Sequence, residues 1–464
     1  MGDYSYLDKF SDQIRLCTRC GLCRAVCPVF AVEGTESQVS RGKIALMEGV
    51  VNGDLTLSEA FVQNMGVCIN CKACIQNCPS GVAFDDLILS TRAELAGAGH
   101  LPFLKRFIFR QLLKRGRLVP PVARWVSFFQ RVILRGLKEN SPYRLLLPLA
   151  NVDSDRILPV FAKTSYLAEA PEVAEVPGHR MRVGYFVGCS GNLIYPQIPR
   201  SVVNLLTLNG VEVIIPPEQV CCGTPVFNAG DFETAKDLAR QNLDVFNHLE
   251  VEAIITACGS CGLALRREYP VLLGVGEFDV PVYDVSEFLI HVLNFDKTLA
   301  RGDEIRDYDR EMKVTYHDPC HLNRGMGVNR TPRLLLKALF GENFVEMEGA
   351  EECCSGGGTF SLSHYRIAKG IGEKKLQNIQ RSGCDILATG CPNCIMRLRE
   401  IVEQADLAVQ VVHFIELLSE VDLYREEKEK TNFVEKKTGG SNGRDEKNFS
   451  PSVRHRRGGA EGRG

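Results

Sequence analysis

The chain has 464 residues, with 55 Lys and Arg against 57 Asp and Glu, which gives a formal net charge of −2. This length exceeds one small domain, and the near-neutral charge gives no global reason to expect nucleic-acid binding. No apolar run is long enough for a transmembrane helix, and the first ten residues lack the basic and apolar stretches of a signal peptide. We therefore expect a cytoplasmic protein with two or three folded domains.

Nineteen cysteines are the most unusual feature of the composition. A disulfide scaffold is typical of small secreted domains, and an odd count would leave one thiol unpaired. We therefore favour the alternative, in which most of the cysteines bind metal or iron–sulfur clusters in a reducing compartment.

Two copies of one cysteine pattern, "CTRCGLCRAVCP" and "CINCKACIQNCP", lie in a predicted first domain, residues 1–100. The spacing C-x₂-C-x₂-C-x₃-C-P is typical of bacterial ferredoxins with two [4Fe–4S] clusters, in which the fourth cysteine of each run serves the other cluster. Carried over by position from that pattern, the expected ligands are Cys17, Cys20, Cys23 and Cys78 for one cluster, and Cys68, Cys71, Cys74 and Cys27 for the other.

Zinc is the alternative metal, because tetrahedral zinc sites also use Cys-x-x-Cys pairs. Such sites usually combine two pairs rather than a run of three cysteines and a Cys-Pro, which favours the clusters. The stretch between the two runs, "SRGKIALMEGVVNGDL", predicts a helix with Ser40 as its N-cap. The first domain should therefore be small and mainly helical.

A basic segment opens the predicted connector, residues 101–180. Residues 101–147 carry eleven Lys or Arg and a single acidic residue. Apolar residues recur there at helical spacing, and Pro120-Pro121 separates two predicted helices. Two interpretations stay open: a helical connector with a solvated basic face, or an interfacial helix that contacts an anionic membrane or an acidic partner.

From residue 181 the chain repeats itself, which predicts two similar domains, the first repeat (181–300) and the second repeat (301–424). "MRVGYFVGC" resembles "MKVTYHDPC", and each is a short apolar strand that ends at a cysteine. The offsets are 131, 132 and 133 residues for the pairs Cys189–Cys320, Cys221–Cys353 and Cys258–Cys391. So steady an offset indicates duplication, and the alternation of strands with helices predicts a parallel, doubly wound sheet in each copy.

Each repeat supplies five cysteines, two of them adjacent in sequence. They are Cys189, Cys221, Cys222, Cys258 and Cys261 in the first repeat, and Cys320, Cys353, Cys354, Cys391 and Cys394 in the second. Five thiols exceed the four ligands of a zinc ion or an ordinary cubane cluster. Since a thiolate can bridge two irons, we predict that each repeat binds a larger or distorted iron–sulfur unit, with helix N-termini directed at it.

The other candidate functional residues are less specific in their pattern than the cysteines. His317, Asp318 and His321 flank Cys320, and they either cap a turn or tune the second site through hydrogen bonds. Cys384 lies at a predicted strand start and is expected to be a buried structural thiol. The charged, Gly-rich residues 425–464 are predicted to be disordered. No catalytic residue can be assigned, and no flavin or nucleotide motif is present, so we expect those sites on a partner.

The cysteine pattern of the repeats resembles the CCG domain of heterodisulfide reductases. With the ferredoxin pattern in front of it, roughly residues 10–420 are similar to the iron–sulfur subunit of glycolate oxidase and related lactate dehydrogenases. The resemblance implies a small, mainly helical ferredoxin-type domain with two [4Fe–4S] clusters, followed by two α/β CCG domains. It also implies further, non-cubane [4Fe–4S] clusters in the CCG domains.

The same resemblance implies an oxidoreductase subunit of glycolate or lactate dehydrogenase type. Such a subunit passes electrons from a flavoprotein partner, which oxidises the hydroxy acid, to an acceptor such as quinone. The basic segment would then contact the inner face of the cell membrane, and no nucleic-acid partner is expected. The alternative is a heterodisulfide reductase-like enzyme that reduces disulfides at its CCG clusters; fusion of all three domains in one chain favours the first interpretation.

Overall fold

The computed structural model describes residues 5–114, 119–133, 157, 159–295, 312–357 and 360–419. The segment predicted to be disordered, residues 425–464, lies outside the described residues. Within the described ranges, none of the helices combines the length and the apolar character needed to cross a lipid bilayer.

The N-terminal part is helical, as the sequence predicts. Its helices are Ser5–Asp8, Ser11–Arg15, Leu22–Val26, Pro28–Glu33, Ser40–Val51, Glu59–Gly66, Ala73–Gln76 and Phe84–Gly97, with a 3₁₀ turn at Glu36–Gln38. One detail was wrong: Val39 is the N-cap of the central helix, and Ser40 is already helical. The Ser40 side chain instead hydrogen bonds with Cys74. A buried apolar core that includes Met47, Met65 and Leu87 packs beneath the cysteine loops.

Two helical segments follow, as predicted. Phe103–Phe107 continues into a π-helical stretch, Ile108–Leu113, and the second helix is Val119–Ile133. Pro120 and Pro121 lie in the first turn of that second helix, where a missing N–H group breaks no hydrogen bond. A short helix, Tyr166–Glu169, leads to the first sheet.

Part of the basic charge of this segment is paired within the chain. The Arg110 guanidinium lies 3.1 Å from the Asp231 carboxylate, and the Lys114 ammonium lies 2.7 Å from that of Asp237. Both carboxylates belong to the first repeat, at the start and in the first half of the helix Phe232–Asn247. Arg110 and Lys114 therefore hold the segment against the first repeat. The basic face is not entirely solvent-exposed.

The first repeat is built on a five-stranded sheet with the order β1-β3-β2-β4-β5. The strands are β1 (Val173–Ala174), β2 (Met181–Phe186), β3 (Val211–Ile214), β4 (Ala253–Thr256) and β5 (Val282–Asp284). All neighbours are parallel except β1, which is an antiparallel edge strand. The helical elements are Cys189–Leu193, Gln197–Leu208, Thr224–Asn228, Phe232–Asn247, Gly259–Leu263, Ala264–Leu273, Val285–Glu287 and Phe288–Val292.

The second repeat has a parallel sheet of three strands, β6 (Val314–His317), β7 (Ile386–Thr389) and β8 (Gln410–His413), in that order. Val314 also pairs in parallel with Phe344, where β3 lies in the first repeat. The helical elements are His321–Gly325, Thr331–Phe340, Gly341–Asn343, Phe360–Ser363, Tyr365–Ser382 and Pro392–Gln404. Every residue of β4, β6 and β7 is buried, which is typical of parallel strands covered on both faces. The predicted α/β fold class is confirmed.

The ferredoxin-type part and the two repeats meet at a buried junction. His321 of the second repeat lies 3.1 Å from the Asn70 carbonyl oxygen through Nε2, and 3.1 Å from the Ser260 hydroxyl through Nδ1. Nearby, the Lys72 ammonium is paired with Asp85 and lies 3.4 Å from Glu268 of the first repeat. One imidazole thus connects all three parts of the chain at the level of the cysteine loops.

Candidate metal centres

The two N-terminal cysteine runs follow the same backbone path. Arg19 and Gly21 have φ angles of 56° and 89°, and Asn70 and Lys72, at the matching positions, have 58° and 60°. A side chain in this left-handed region costs about 1–2 kcal/mol, so the repeated conformation has to be imposed by its surroundings. The left-handed residues between the cysteines curl each loop so that its thiols face a common cavity.

The eight N-terminal thiols gather around two cavities. The first ferredoxin group comprises Cys17, Cys20, Cys23 and Cys78, with Cys74 also reaching this cavity. The second ferredoxin group comprises Cys27, Cys68, Cys71 and Cys74. Each group takes three thiols from one run and one from the other. These are the members of the two expected ligand sets, so the geometry supports that assignment, which stays a prediction.

The spacing of the thiols is wider than a single zinc ion requires. Four sulfurs at 2.3 Å from zinc lie about 3.8 Å from one another. Among the described residues, His317, Cys354 and Cys394 form a group of three possible metal ligands whose donor atoms all lie within 4.8 Å of one another. The N-terminal cysteines form no such tight group over the described ranges, and their all-sulfur donor set fits iron–sulfur chemistry.

The five cysteines of the first repeat form a continuous row of interacting thiols. Cys189 contacts Cys221, Cys221 contacts Cys222, Cys222 contacts Cys261, and Cys261 contacts Cys258. Cys189 and Cys258 follow β2 and β4, which are neighbours in the sheet, and the adjacent pair lies on the loop after β3. The row therefore lies at the carboxyl ends of the strands, where doubly wound sheets bind ligands.

The second repeat brings its cysteines together in the same way. Cys320 contacts Cys353, and Cys394 contacts both Cys354 and Cys391. The adjacent thiols lie on a tight turn, because the next residue, Ser355, has a φ of 65°, and its equivalent in the first repeat, Gly223, has 84°. The Ser355 N–H group donates to the Cys353 sulfur at 3.3 Å. A turn of this kind lets two consecutive side chains face one centre.

Hydrogen bonds make the second thiol of each adjacent pair the more acidic one. Bonds with Cys221 and then Cys261 hold the pKa of Cys222 well below its usual range. The bond with Cys394 does the same to the pKa of Cys354, and His317 adds to the effect. Since the thiolate is the form that binds metal, both turns favour the ligating state.

Two further contacts join the groups to one another. Cys71 of the second ferredoxin group interacts with Cys353, and this bond, followed by burial, raises the pKa of Cys71 well above its ordinary value. Cys258 of the first repeat interacts with Cys391 of the second. The second ferredoxin group and both repeats are thus linked through sulfur contacts.

The glycines after Cys354 permit the first of these contacts. A Cβ atom built at Gly357 would lie 2.8 Å from the carbonyl oxygen of Ile69, two residues before Cys71. Only a glycine allows the two backbones to come this close. The pattern "CCSGGG" thus serves the contact between two cysteine groups as well as the turn.

Buried cations lie beside the cysteine groups and were not foreseen from the sequence. Burial lowers the pKa of Lys43 to about 8, against the opposing effect of the nearby Cys68 thiol. Arg92 donates to the Cys68 carbonyl oxygen at 2.7 Å. Lys375 lies close to Cys354 and donates to a backbone carbonyl oxygen at 2.6 Å. These positive charges stabilise a cluster of thiolates, and the only sequence signal for them was a lysine within the apolar stretch "KIALM".

The other residues singled out in the sequence have structural roles. Asp318 forms an ion pair with Arg333 at 2.7 Å, and His321 occupies the junction described above. Cys384 is buried just before β7, as expected for a structural thiol. His317 is different, because its ring faces Cys354 and Cys394.

A cleft of about 320 Å³ opens beside the second ferredoxin group. Cys68, Arg92, Lys105 and His364 are among the residues that line it. Phe103, Leu104 and Phe107, on the helix that carries Lys105 of the cleft, are 81%, 67% and 54% exposed. Trp125 and Phe128 of the next helix are also exposed, at 63% and 59%. The cleft is within the size range of small-molecule binding sites in proteins.

Comparison with known proteins identifies the family. Residues 183–266 and 314–399 match the cysteine-rich domain CCG, and residues 13–82 match the 4Fe-4S dicluster domain. The chain is 30% identical to lactate utilization protein A of Halalkalibacterium halodurans, over 53% of this chain and 100% of that protein. The chain belongs to the CCG-domain family of iron–sulfur proteins.

Two relatives of this CCG-domain protein match over most of their length. It is 29% identical to the probable glycolate oxidase iron-sulfur subunit of Bacillus subtilis, over 87% of this chain and 93% of that protein. It is 26% identical to one chain of the dihydromethanophenazine:CoB–CoM heterodisulfide reductase of Methanosarcina acetivorans, over 87% of this protein and 93% of that relative. The expected family, the ferredoxin-type and CCG domains and the presence of several iron–sulfur clusters are confirmed.

Proposed function

We propose that this CCG-domain protein is the electron-transfer subunit of a flavin-dependent 2-hydroxy-acid dehydrogenase, of the glycolate or lactate type. Relatives named as a glycolate oxidase subunit and a lactate utilization protein support this substrate class. A separate flavoprotein oxidises the acid, because the sequence carries no flavin-binding motif.

The observation that carries the proposal is the series of thiol groups through the molecule. It begins at the first ferredoxin group, where Cys20 is exposed, and passes to the second group through the shared Cys74. The Cys71–Cys353 contact leads on to the second repeat, and thiol contacts between the repeats complete the series. Iron–sulfur clusters held by these cysteines supply one-electron transfer. The chain's own contribution is to hold neighbouring groups in contact and to shield them from water.

We propose a quinone at a membrane surface as the electron acceptor. Exposed aromatic side chains beside basic residues are typical of helices that lie in the headgroup region of an anionic bilayer. Phe103 and Phe107 share one helix with Lys105 and Arg106 and provide this combination. The neighbouring cleft opens next to Cys68 and contains the imidazole of His364, a hydrogen-bonding partner for a quinone carbonyl group. A quinone bound there takes up two electrons, released when the partner oxidises the acid, and two protons to become a quinol.

The test of this function is reconstitution with the flavoprotein. We expect the isolated chain to oxidise neither glycolate nor lactate, and the complex with the flavoprotein to couple oxidation of the acid to reduction of a short-chain quinone. Substantial activity of the chain without the flavoprotein would contradict the division of labour between the two proteins.

The membrane contact is tested separately with vesicles that contain anionic phospholipids. Phe103→Glu should weaken co-sedimentation of the protein with the vesicles, because a carboxylate is repelled by the anionic surface and does not enter the headgroup region. Leu334→Glu is the matched control, since Leu334 is 47% exposed on a helix of the second repeat. Equal effects of both substitutions would rule out a specific role of Phe103.

Disulfide reduction at the repeats is the second candidate function. It is favoured by the Cys258–Cys391 contact, which brings the cysteine groups of both repeats face to face, and by the heterodisulfide reductase relative. Incubation of the reduced protein with disulfide substrates separates the two candidates. Catalytic turnover of a disulfide would favour this second function, and its absence with an intact quinone activity would favour the first.

A further inference from the structure

The second repeat contains a buried histidine where the first repeat has a phenylalanine. His317 is the last residue of β6 and lies three residues before Cys320. Phe186 is the last residue of β2 and lies three residues before Cys189. The two repeats match cysteine for cysteine, so this position introduces a nitrogen donor into one of the two sites only.

The ring of His317 lies among thiols that are already expected to bind iron. One of its nitrogens, the Cys354 sulfur and the Cys394 sulfur are all within 4.8 Å of one another. His317 is only 1% exposed, and both thiols are buried. A histidine and two cysteines at this spacing are suited to share one metal atom.

The His317 ring forms a hydrogen bond with the Cys354 thiol, but this contact accounts for only one of its two nitrogens. The Nδ1 atom of His317 has no hydrogen-bond partner among the residues that the structure describes, although it is buried. Two other buried histidines nearby differ in this respect. His321 uses both nitrogens at the junction, and His413 is bonded to the Ala257 carbonyl oxygen and to the N–H group of Ile415. Burying an unpaired ring nitrogen is unfavourable. A metal bound between Cys354 and Cys394 would give the imidazole a partner stronger than a thiol hydrogen bond.

We propose that His317 is a nitrogen ligand to the iron of the second repeat, alongside Cys354 and Cys394. This inference rests on the proposed presence of a cluster in that repeat. An imidazole is neutral where a thiolate is negative, and replacing thiolate by histidine ligands raises the reduction potential of an iron–sulfur centre. An iron that takes His317 in place of one of the five thiolates would therefore have a higher potential than its counterpart in the first repeat. Similar cysteine sets would then give the two repeats different potentials, which sets a direction for electrons that pass between them.

The experiment is pulsed electron paramagnetic resonance on the reduced, anaerobically purified full chain, with and without histidine labelled with nitrogen-15 in the ring. We expect a histidine nitrogen coupling that changes with the label. It should be lost in His317→Phe, which installs the residue of the first repeat, and kept in His413→Gln, which removes another buried imidazole. Iron is counted in each sample.

A second variant protects the test against misfolding of the first. His317→Cys offers a thiolate in place of the imidazole, so the iron content should match that of the natural protein, the histidine coupling should be absent and the reduction potential of the second site should fall. If His317 had only a structural role, the natural protein would show no histidine coupling, and a cysteine at position 317 would not restore the iron content.

The possible failures are distinguishable. If replacing Cys354 and Cys394 by serine lowers the iron content but the natural protein shows no histidine coupling, His317 is not a ligand and the proposed cluster stands. If those serine variants keep all their iron, the second repeat holds no cluster, and both the ligand assignment and the proposed electron path are overturned.

Discussion

Gly357→Ala tests the closest approach between the ferredoxin-type domain and the second repeat. The added Cβ would lie 2.6 Å from the Ile69 side chain and 2.8 Å from the Ile69 carbonyl oxygen. The side chain can rotate, but the carbonyl belongs to the loop that carries Cys71, so the two loops must separate by about half an ångström. Forcing a methyl group into such a contact costs about 1–3 kcal/mol, which is roughly a 5- to 150-fold change in an equilibrium constant.

Two measurements check this expectation. The midpoint of anaerobic urea unfolding should fall in Gly357→Ala, and the magnetic interaction between the second ferredoxin centre and the second-repeat centre should weaken as Cys71 and Cys353 move apart. Gly97→Ala is the matched control, because no described atom outside its own helix turn and its chain neighbours lies within 4 Å of a Cβ at that position. There the same substitution should be neutral or stabilise the helix by up to about 1 kcal/mol. Natural stability and natural magnetic interaction in Gly357→Ala would refute the close packing of these loops.

Three other substitutions test separate features. Lys72→Met removes the ammonium shared by Asp85 and Glu268 and leaves Arg267 as their remaining cationic partner. The free energy of unfolding should therefore fall by up to about 3 kcal/mol, against little change for the exposed Lys9→Met; equal stability of both variants would contradict the buried ion pair. Cys384→Ala should lower stability and leave the iron content unchanged, and a loss of iron would make Cys384 a ligand. Burial raises the pKa of Asp284 to about 7. The folded protein therefore holds this proton more tightly than the unfolded chain, and the resulting stabilisation is complete below about pH 4 and lost as the pH rises through about 7. Asp284→Asn should flatten the decline in unfolding free energy between about pH 5 and 7, and an unchanged slope would exclude Asp284 as its source.

The fold class was accessible from the sequence because its signals are local. Short apolar strands that end at a cysteine, such as the one before Cys189, need only a few residues to be recognised, and a constant offset to the second copy shows that they recur. Pro120 and Pro121 likewise indicate a helix start, because proline lacks the backbone N–H group that a position further along a helix would need. The N-cap at Ser40 was misplaced by one residue, because Val39 already has the extended backbone of a cap and the serine hydroxyl is used by Cys74.

The contacts between cysteine groups could not be predicted in this way. Cys71 and Cys353 are far apart in the chain, and nothing in either local sequence specifies the other. The burial of Lys43 and Lys375 depends on the same long-range packing, since a lysine on a helix is ordinarily solvated. The spacing of cysteines in the sequence thus predicts which cysteines belong to each group. The contacts between groups form only when the domains pack against one another.

The junction at Asn70, Ser260 and His321 also constrains how the protein is made. Once this imidazole has closed its two bonds, the second cysteine run lies beneath the second repeat, and the Cys71 sulfur rests against Cys353. Iron and sulfide can reach these sulfurs more easily before that contact has formed. We therefore expect the clusters of the ferredoxin-type domain to be inserted first, and the three domains to pack against one another afterwards.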